Sequence, residues 1–402
     1  MHRSLRRTTF WLLVATVFTL PWQGSILLPA IGTAPRLLGL LAGATAAATL
    51  ALHGWNRRLL DVHVLAVALA AWVVLSLLWT LDADRTRTYL VTFVQLVLLL
   101  VLIWEFADEP GDAVRLLRAW VLGAAVGAAG VLLTLGEAAS ERHSAFGFNE
   151  NDLGSLLALG VPVAWYLSRR ARTTWERWAW AAYLPVGAVG ALLTGSRGAL
   201  VVLLVGLAVV PLTVRRRTAT QLGIAVAGLV AVGIAVAAVV PAETEARLLT
   251  VGEEVREGDL STRLPLWQAA AGTIGTHPVG GIGAGAGDLE IANRTGIPQR
   301  AHNTFLSVGM ELGVVGLALF GLMIVVTVLR TTGMPPLERA VSRVLVAALL
   351  VAMVPLHWEL QKAVYALLAI VLCLAAEVRG GPPLPVPSTR RTPLVLERPV
   401  SG

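Results

Sequence analysis

Four short polar segments interrupt an otherwise apolar chain, and each carries residue types that can do chemistry. The first is Thr194-Gly-Ser-Arg-Gly198. Ser196 suits the N-cap of a following apolar helix, with Arg197 in its first turn. An arginine there opposes the helix dipole unless an anion is bound, and the free amides of a helix start together with a guanidinium make an anion site. The same arginine could instead snorkel to lipid headgroups. The second segment, Ser261-Thr-Arg-Leu-Pro-Leu-Trp267, repeats the arrangement. Ser261 or Thr262 caps, Pro265 fits the first turn, and Arg263 stands at the start of a helix expected over Ser261–His277. The alternative is a surface arginine on an amphipathic helix whose apolar face is Leu264, Trp267, Ala271 and Ile274.

The third segment is Gln299-Arg300-Ala-His302-Asn303. His302 is the best titratable candidate, because neutral imidazole accepts a proton near pH 7 and imidazolium donates to phosphate. Asn303 suits a helix cap, and a histidine at a helix start also serves as a plain cap or interface residue. The fourth, Gly147-Phe-Asn149-Glu-Asn151-Asp152, reads equally as a cap or as Asn149 and Asn151 amides for sugar hydroxyls. Weaker features follow. The run Gly280-Gly-Ile-Gly-Ala-Gly-Ala-Gly287 could cradle a phosphate with backbone amides, but it reads better as a flexible turn and lacks the strand–helix context of a dinucleotide site. Glu311 is a carboxylate inside an apolar run, a functional candidate in a membrane segment. Lys362, the only lysine, adds positive charge before the last apolar run. Asp82-x-Asp84 reads as loop polarity ahead of a metal pair.

The elements that must position these residues are membrane helices. The chain has 402 residues, 56% hydrophobic and 14% charged, with mean hydropathy +0.73. A soluble domain carries about 25% charged residues. We read an all-α polytopic membrane protein. Twelve spans are expected near 10–28, 36–53, 62–81, 88–106, 114–135, 152–168, 176–194, 198–214, 220–240, 303–329, 339–356 and 363–378. Residues 1–378 form one transmembrane domain, 241–303 a long loop containing short helices, and 379–402 a disordered tail rich in proline and arginine. The net charge of +7 does not indicate nucleic acid, because the arginines sit in short clusters between apolar runs. The single cysteine, Cys373, excludes an internal disulfide and a cysteine metal site.

With both termini in the cytoplasm, the inner connections hold about two thirds of the 32 arginine and lysine residues, as the positive-inside rule requires. The segments 143–152, 194–198, 241–303 and 357–362 then share the outer face. The sixth, eighth, tenth and twelfth spans all begin there, so their positive dipole ends add to Arg197, Arg263, Arg300, His302 and Lys362. Such a site suits a pyrophosphate at the membrane surface. Nucleotides are scarce outside the cell, which favours a lipid-linked pyrophosphate.

At these residues the chain resembles the O-antigen ligase and O-antigen polymerase family of membrane glycosyltransferases. The matching pieces are Thr194-Gly-Ser-Arg-Gly198, Arg263-x-x-x-Trp267, His277-Pro-x-Gly-Gly-x-Gly283 and His302-Asn303 followed by Glu311-Leu-Gly313 and Gly316, with Asn149 to Asp152 as a further likeness. The resemblance implies transfer of a glycan from a polyprenyl-pyrophosphate carrier to an acceptor glycan, lipid or protein, at the outer face of the bacterial cytoplasmic membrane. It implies no metal and no cofactor. Arg197, Arg263 and His302 would be the catalytic residues, the arginines on the pyrophosphate and His302 on the acceptor or leaving group. Ser196, Arg300, Asn303, Asn149, Asn151, Glu311 and Lys362 would bind substrate. A repeat-unit polymerase of the same family is the nearest rival. From another class, a transporter of a small anion or a glycan lipid competes, which charges buried mid-span would favour.

Overall fold

The computed structural model describes residues 2–28, 32–134, 143–213 and 263–379. The expected ninth span, the first part of the long loop with Ser261 and Thr262, and the tail from residue 380 lie outside the described residues. Among the described residues fourteen α-helices follow in order: α1 (His2–Thr19), α2 (Ala34–His53), α3 (Asp61–Leu75), α4 (Ala83–Phe106), α5 (Asp112–Leu133), α6 (Glu150–Arg170), α7 (Thr174–Leu193), α8 (Arg197–Leu207), α9 (Val209–Thr213), α10 (Arg263–Thr276), α11 (Gly287–Thr295), α12 (Thr304–Arg330), α13 (Pro336–Met353) and α14 (Lys362–Val378). One antiparallel pairing, Leu27–Leu28 with Gly32–Thr33, is the only sheet among the described residues.

By length and composition, five of these helices can cross a membrane: Ala34–His53, Asp61–Leu78 including a 3-10 turn, Ala83–Phe106, Asp112–Leu133 and Thr304–Arg330. The other expected spans of the described stretches coincide with helices that are shorter or less apolar. The first differs from expectation. It begins at His2 and gives way at Leu20 to a 3-10 turn holding Pro21, so it ends well before residue 28. A proline ring cannot continue the hydrogen-bond ladder of a helix interior.

The helix starts are written in the sequence. Asp82, Asn149, Thr173, Ser196 and Asn303 each accept a backbone amide of the turn they open. The α7–α8 hairpin turns at Gly195, whose φ is 59°. The helices then pack around α14 and α6. Residues 363–375 of α14 and 153–164 of α6 are buried throughout, as expected of helices apolar on all sides.

Many of the polar contacts between elements gather in two groups. In one, Arg6 reaches Glu105 (3.1 Å) and Asp108 (2.8 Å), Arg7 reaches Asp112 (2.9 Å), and Arg330 reaches Asp61 (2.7 Å). The Gly111 amide donates to Glu377 in this group (2.7 Å). In the other, Leu81 N–H donates to Ile282 O (3.0 Å), Arg85 pairs with Asp288 (2.8 Å), and the Trp358 indole donates to Asp152 (2.7 Å). Each of these pairs joins connections that the charge pattern assigns to the same side.

α12 is broken in its third turn. Gly313 has φ 65° and ψ −167°, a conformation open to glycine and to little else. The backbone groups freed there find partners in the loop. Ile282 N–H donates to Met310 O (3.0 Å), Gly283 N–H to Glu311 O (2.9 Å), and Val314 N–H to Pro278 O (2.8 Å). The Trp72 indole donates to Leu312 O (2.9 Å). Broken helices persist in an apolar surround when neighbouring protein satisfies the break in this way.

Candidate functional site

The connection 354–361, between α13 and α14, gathers the starts of four helices. α14 follows it directly. Thr304, first in α12, donates its hydroxyl to Leu356 O (2.8 Å) and accepts from Trp358 N–H (2.7 Å). α6 is tied in through Asp152 and the Trp358 indole. Gly198, second in α8, lies so close that a side-chain carbon there would come within 2.9 Å of Pro355 Cγ. Thus α6, α8, α12 and α14 turn their N-terminal ends, each worth roughly half a positive charge, toward one connection.

Arg197 is the first residue of α8 and half-buried. Arg263 is the first residue of α10, and its charge acts on His302. α10 is held by Trp267, whose indole donates to Ala301 O (2.8 Å). The buried face of α10 is Leu266, Ala269, Ala270 and Thr273, while Leu264 and Ala271 are exposed. The helix packs into a second small core with Ile282, Ala286, Ile291, Ala301 and Met310, and that docking sets its rotation. Of the apolar face read from periodicity, Trp267 and Ile274 are half-buried against the same core.

His302 stands at φ 46°, one of two non-glycine residues at positive φ among the described residues. Strained backbone of this kind persists where the surroundings over-determine it, often at ligand sites. Its ring lies 5.6 Å from that of His357, edge to face. Burial, then Arg263 and Arg300, hold His302 below the usual histidine range. Burial, then Arg300 and His302, lower His357 to about 4. Both rings are therefore neutral at pH 7. Burial pushes the Glu359 carboxyl up to about 7, and the group is 4% exposed. Among the described residues, His357 Nδ1 and Glu359 Oε2 have no hydrogen-bond partner. The sequence reading marked the segment 357–362 as lying on the outer face and singled out neither residue. A His-x-Glu between two apolar runs was the available signal.

The remaining expected residues divide. Arg300 joins the group and shares Asp288 with Arg85, at 3.4 and 2.8 Å. Asn303 is buried and accepts the amides of Phe305 and Leu306, so its oxygen is spent on the cap. Ser196 likewise accepts from Ala199 N–H (3.2 Å) and is buried. Asn149 is the cap of α6 and accepts from the Asn151 amide (2.9 Å). Lys362 is the first residue of α14, with Nζ 3.4 Å from Gln23 Oε1.

Glu311 is buried and faces the glycine run. Gly285 N–H donates to its Oε2 (2.8 Å) and Gly287 N–H to its Oε1 (3.3 Å). The run is accordingly neither a flexible turn nor a phosphate cradle. Its amides serve a carboxylate of the same chain, and a side chain at Gly283 would strike Thr80. Asp82 and Asp84 pair with Arg85 and Arg87 instead of with each other. No cluster of three or more His, Cys, Asp or Glu side chains suited to a metal ion occurs among the described residues.

Residues 182–321 match the family model described as O-Antigen ligase. The matched stretch holds Arg197, Arg263, Arg300, His302 and Glu311. It stops short of Asn149 on one side and of the 354–361 connection on the other. No curated protein matches the chain. The likeness to the O-antigen ligase and polymerase family drawn from the motifs thus holds for this stretch.

Proposed function

We propose that this protein transfers a glycan from a polyprenyl-pyrophosphate carrier to an acceptor hydroxyl at the outer face of a bacterial cytoplasmic membrane, with both termini cytoplasmic and twelve spans. The observation that carries the reading is the convergence of the α6, α8, α12 and α14 N-terminal ends on one connection. Arg197, Arg263, Arg300 and His302 stand at or beside those ends. Dipole ends and guanidinium groups suit a pyrophosphate, and the O-antigen ligase match over residues 182–321 agrees with that chemistry.

The acceptor oxygen attacks the anomeric carbon, and the carbon–oxygen bond to pyrophosphate breaks with its electron pair leaving on the phosphate. Arg197 and Arg263 stabilise the charge that grows on the leaving group, which is electrostatic catalysis. Ser196 and Asn303 act indirectly, by fixing the helix ends that aim those groups. A single displacement inverts the sugar configuration.

The test is the pool of carrier-linked glycan in cells lacking the protein. Accumulated long chains support a ligase. Accumulated single repeat units would move the reading to polymerisation at the same site. An unchanged pool with unchanged surface glycan would refute both. At the site itself, Arg197→Ala and Arg263→Ala should each lower transfer by about 100-fold or more at equal protein level, the scale for removing one stabiliser of developing negative charge. Full activity in both would refute the assignment.

A further inference from the structure

Resting on that reading of the site, we propose that Glu359 is the group that takes the proton from the attacking acceptor hydroxyl, while His302 serves the leaving-group side.

Three observations carry this. The first is burial without satisfaction. Glu359 is 4% exposed, and among the described residues its Oε2 has no hydrogen-bond partner. A buried carboxylate held only for structure has its oxygens paired, as Glu311 has with Gly285 and Gly287. Its backbone carbonyl accepts from the Tyr365 hydroxyl (2.9 Å), which fixes the main chain that carries the Glu359 carboxyl.

The second is location. Glu359 sits on the connection where the four helix starts meet, two residues from His357, whose ring touches that of His302. A group that accepts a proton from the acceptor has to stand beside the cationic cluster that holds the leaving group.

The third is the division of charge. His302 lies in the field of Arg263 and Arg300, which weakens it as a base and leaves a neutral ring able to donate to phosphate. Facing Glu359 are Arg300 and Asp288 from the loop, Glu311 from α12, Tyr89 from α4 and Tyr365 from α14. His357 belongs to its own connection. Burial is the largest influence on Glu359 and brings its carboxyl to about 7, where a general base combines a useful ionised fraction with proton affinity.

In the step, the acceptor O–H bond breaks as the new C–O bond forms. The proton passes to Glu359 Oε2, and the electron pair of the cleaved bond departs on the pyrophosphate. No oxidant, reductant or further reactant is needed.

The experiment uses the full-length protein in proteoliposomes, with radiolabelled carrier-linked glycan extracted from cells lacking the protein as probe and the extracted envelope fraction as acceptor. Transfer and carrier binding are measured from pH 5.5 to 8.5 for wild type, Glu359→Gln and Glu359→Asp. Wild-type transfer should rise with pH through about 7. Glu359→Gln should lose about 100-fold to 10,000-fold in rate and lose that rise, while still binding the carrier. Glu359→Asp should recover part of both. Wild-type transfer with an unaltered rate or an unaltered pH limb in Glu359→Gln would overturn the inference and leave the proposed function standing. Loss of carrier binding along with activity in both variants would make Glu359 structural and overturn it as well. A wild-type protein that leaves the carrier-linked glycan intact would sink the transfer reading and this inference together.

Discussion

The break in α12 gives a sharp structural prediction through Gly313→Ala. The native backbone, φ 65° and ψ −167°, lies in a region that non-glycine residues enter at a cost of about 1–3 kcal/mol. A Cβ there would also stand 2.1 Å from Val279 O and 2.3 Å from Val279 C. Both are main-chain atoms, so no rotamer change relieves the contact. The segment 278–280 has to withdraw, which breaks the Val314–Pro278 hydrogen bond and loosens those from Ile282 and Gly283. Each buried partner left unpaired adds about 1–3 kcal/mol. Strain and one lost pair together give roughly 3 kcal/mol or more, which is over 100-fold in the opening equilibrium of the glycine run at 1.4 kcal/mol per tenfold. Hydrogen exchange read by mass spectrometry on the 277–290 peptide, in detergent, measures that equilibrium directly. Gly321→Ala on the same helix is the control, since nothing lies within 4 Å of its added carbon. Exchange at Ile282 and Gly283 should accelerate at least about 100-fold in Gly313→Ala and stay unchanged in Gly321→Ala. Equal protection in both would refute the account of the break.

Three further outcomes are expected. Arg6→Ala leaves Glu105, which is 0% exposed, without its cation and held only by the Asn56 and Arg57 amides, and should cost about 3 kcal/mol; a yield of monodisperse protein equal to wild type would contradict this, and adding Glu105→Gln should restore part of the loss. The folded pKa of Glu359 is raised to about 7, so its contribution to stability is fully present below the unfolded carboxylate range and is lost as pH rises through 7. At pH 8 ionising it costs about 3 kcal/mol, and Glu359→Gln should therefore melt higher than wild type at pH 8, an advantage that vanishes by pH 4.5; a lower melting temperature at pH 8 would reverse the sign. Sidedness can be read with single cysteines at two exposed positions, Val279 and Trp175. An impermeant maleimide should label Val279→Cys in intact cells and Trp175→Cys only after permeabilisation, and the opposite pattern would invert the proposed topology.

What the sequence disclosed and what it hid differ in kind. Ser196, Asn149 and Asn303 were legible as caps, because a cap needs only its own oxygen and the amides just ahead of it. The loop helix was legible, its end falling one residue from expectation, since its periodicity is local. Leu266 and Ala270 were not legible as its most buried residues, because rotation follows from docking against Ile282, Ile291 and Met310, which are remote in sequence. The glycine run announced conformational freedom without naming a partner. Glu311 takes Gly285 and Gly287 from two dozen residues away. α11 went unread because it is a short polar helix. His357 and Glu359 are ordinary loop residues by type, and only the burial created by four converging helix starts makes them unusual. The span count rested on hydropathy, and five described helices meet the length and composition it assumed.

The placement of acid and base also bears on the rival class. Transport gains most from a carboxylate in mid-membrane, and Glu311 was the residue that offered one. Its two oxygens are committed to the amides that open α11, so it braces the loop against the broken α12. Glu105, buried in α4, is likewise committed to Arg6 and to the backbone amides of Asn56 and Arg57. Neither is poised to release and rebind a cation. Among the described residues, His357 and Glu359 each carry a buried polar atom without a partner, on the connection that also faces Arg300 and His302. A proton acceptor on one side and cations on the other is the polarity that a displacement of pyrophosphate requires.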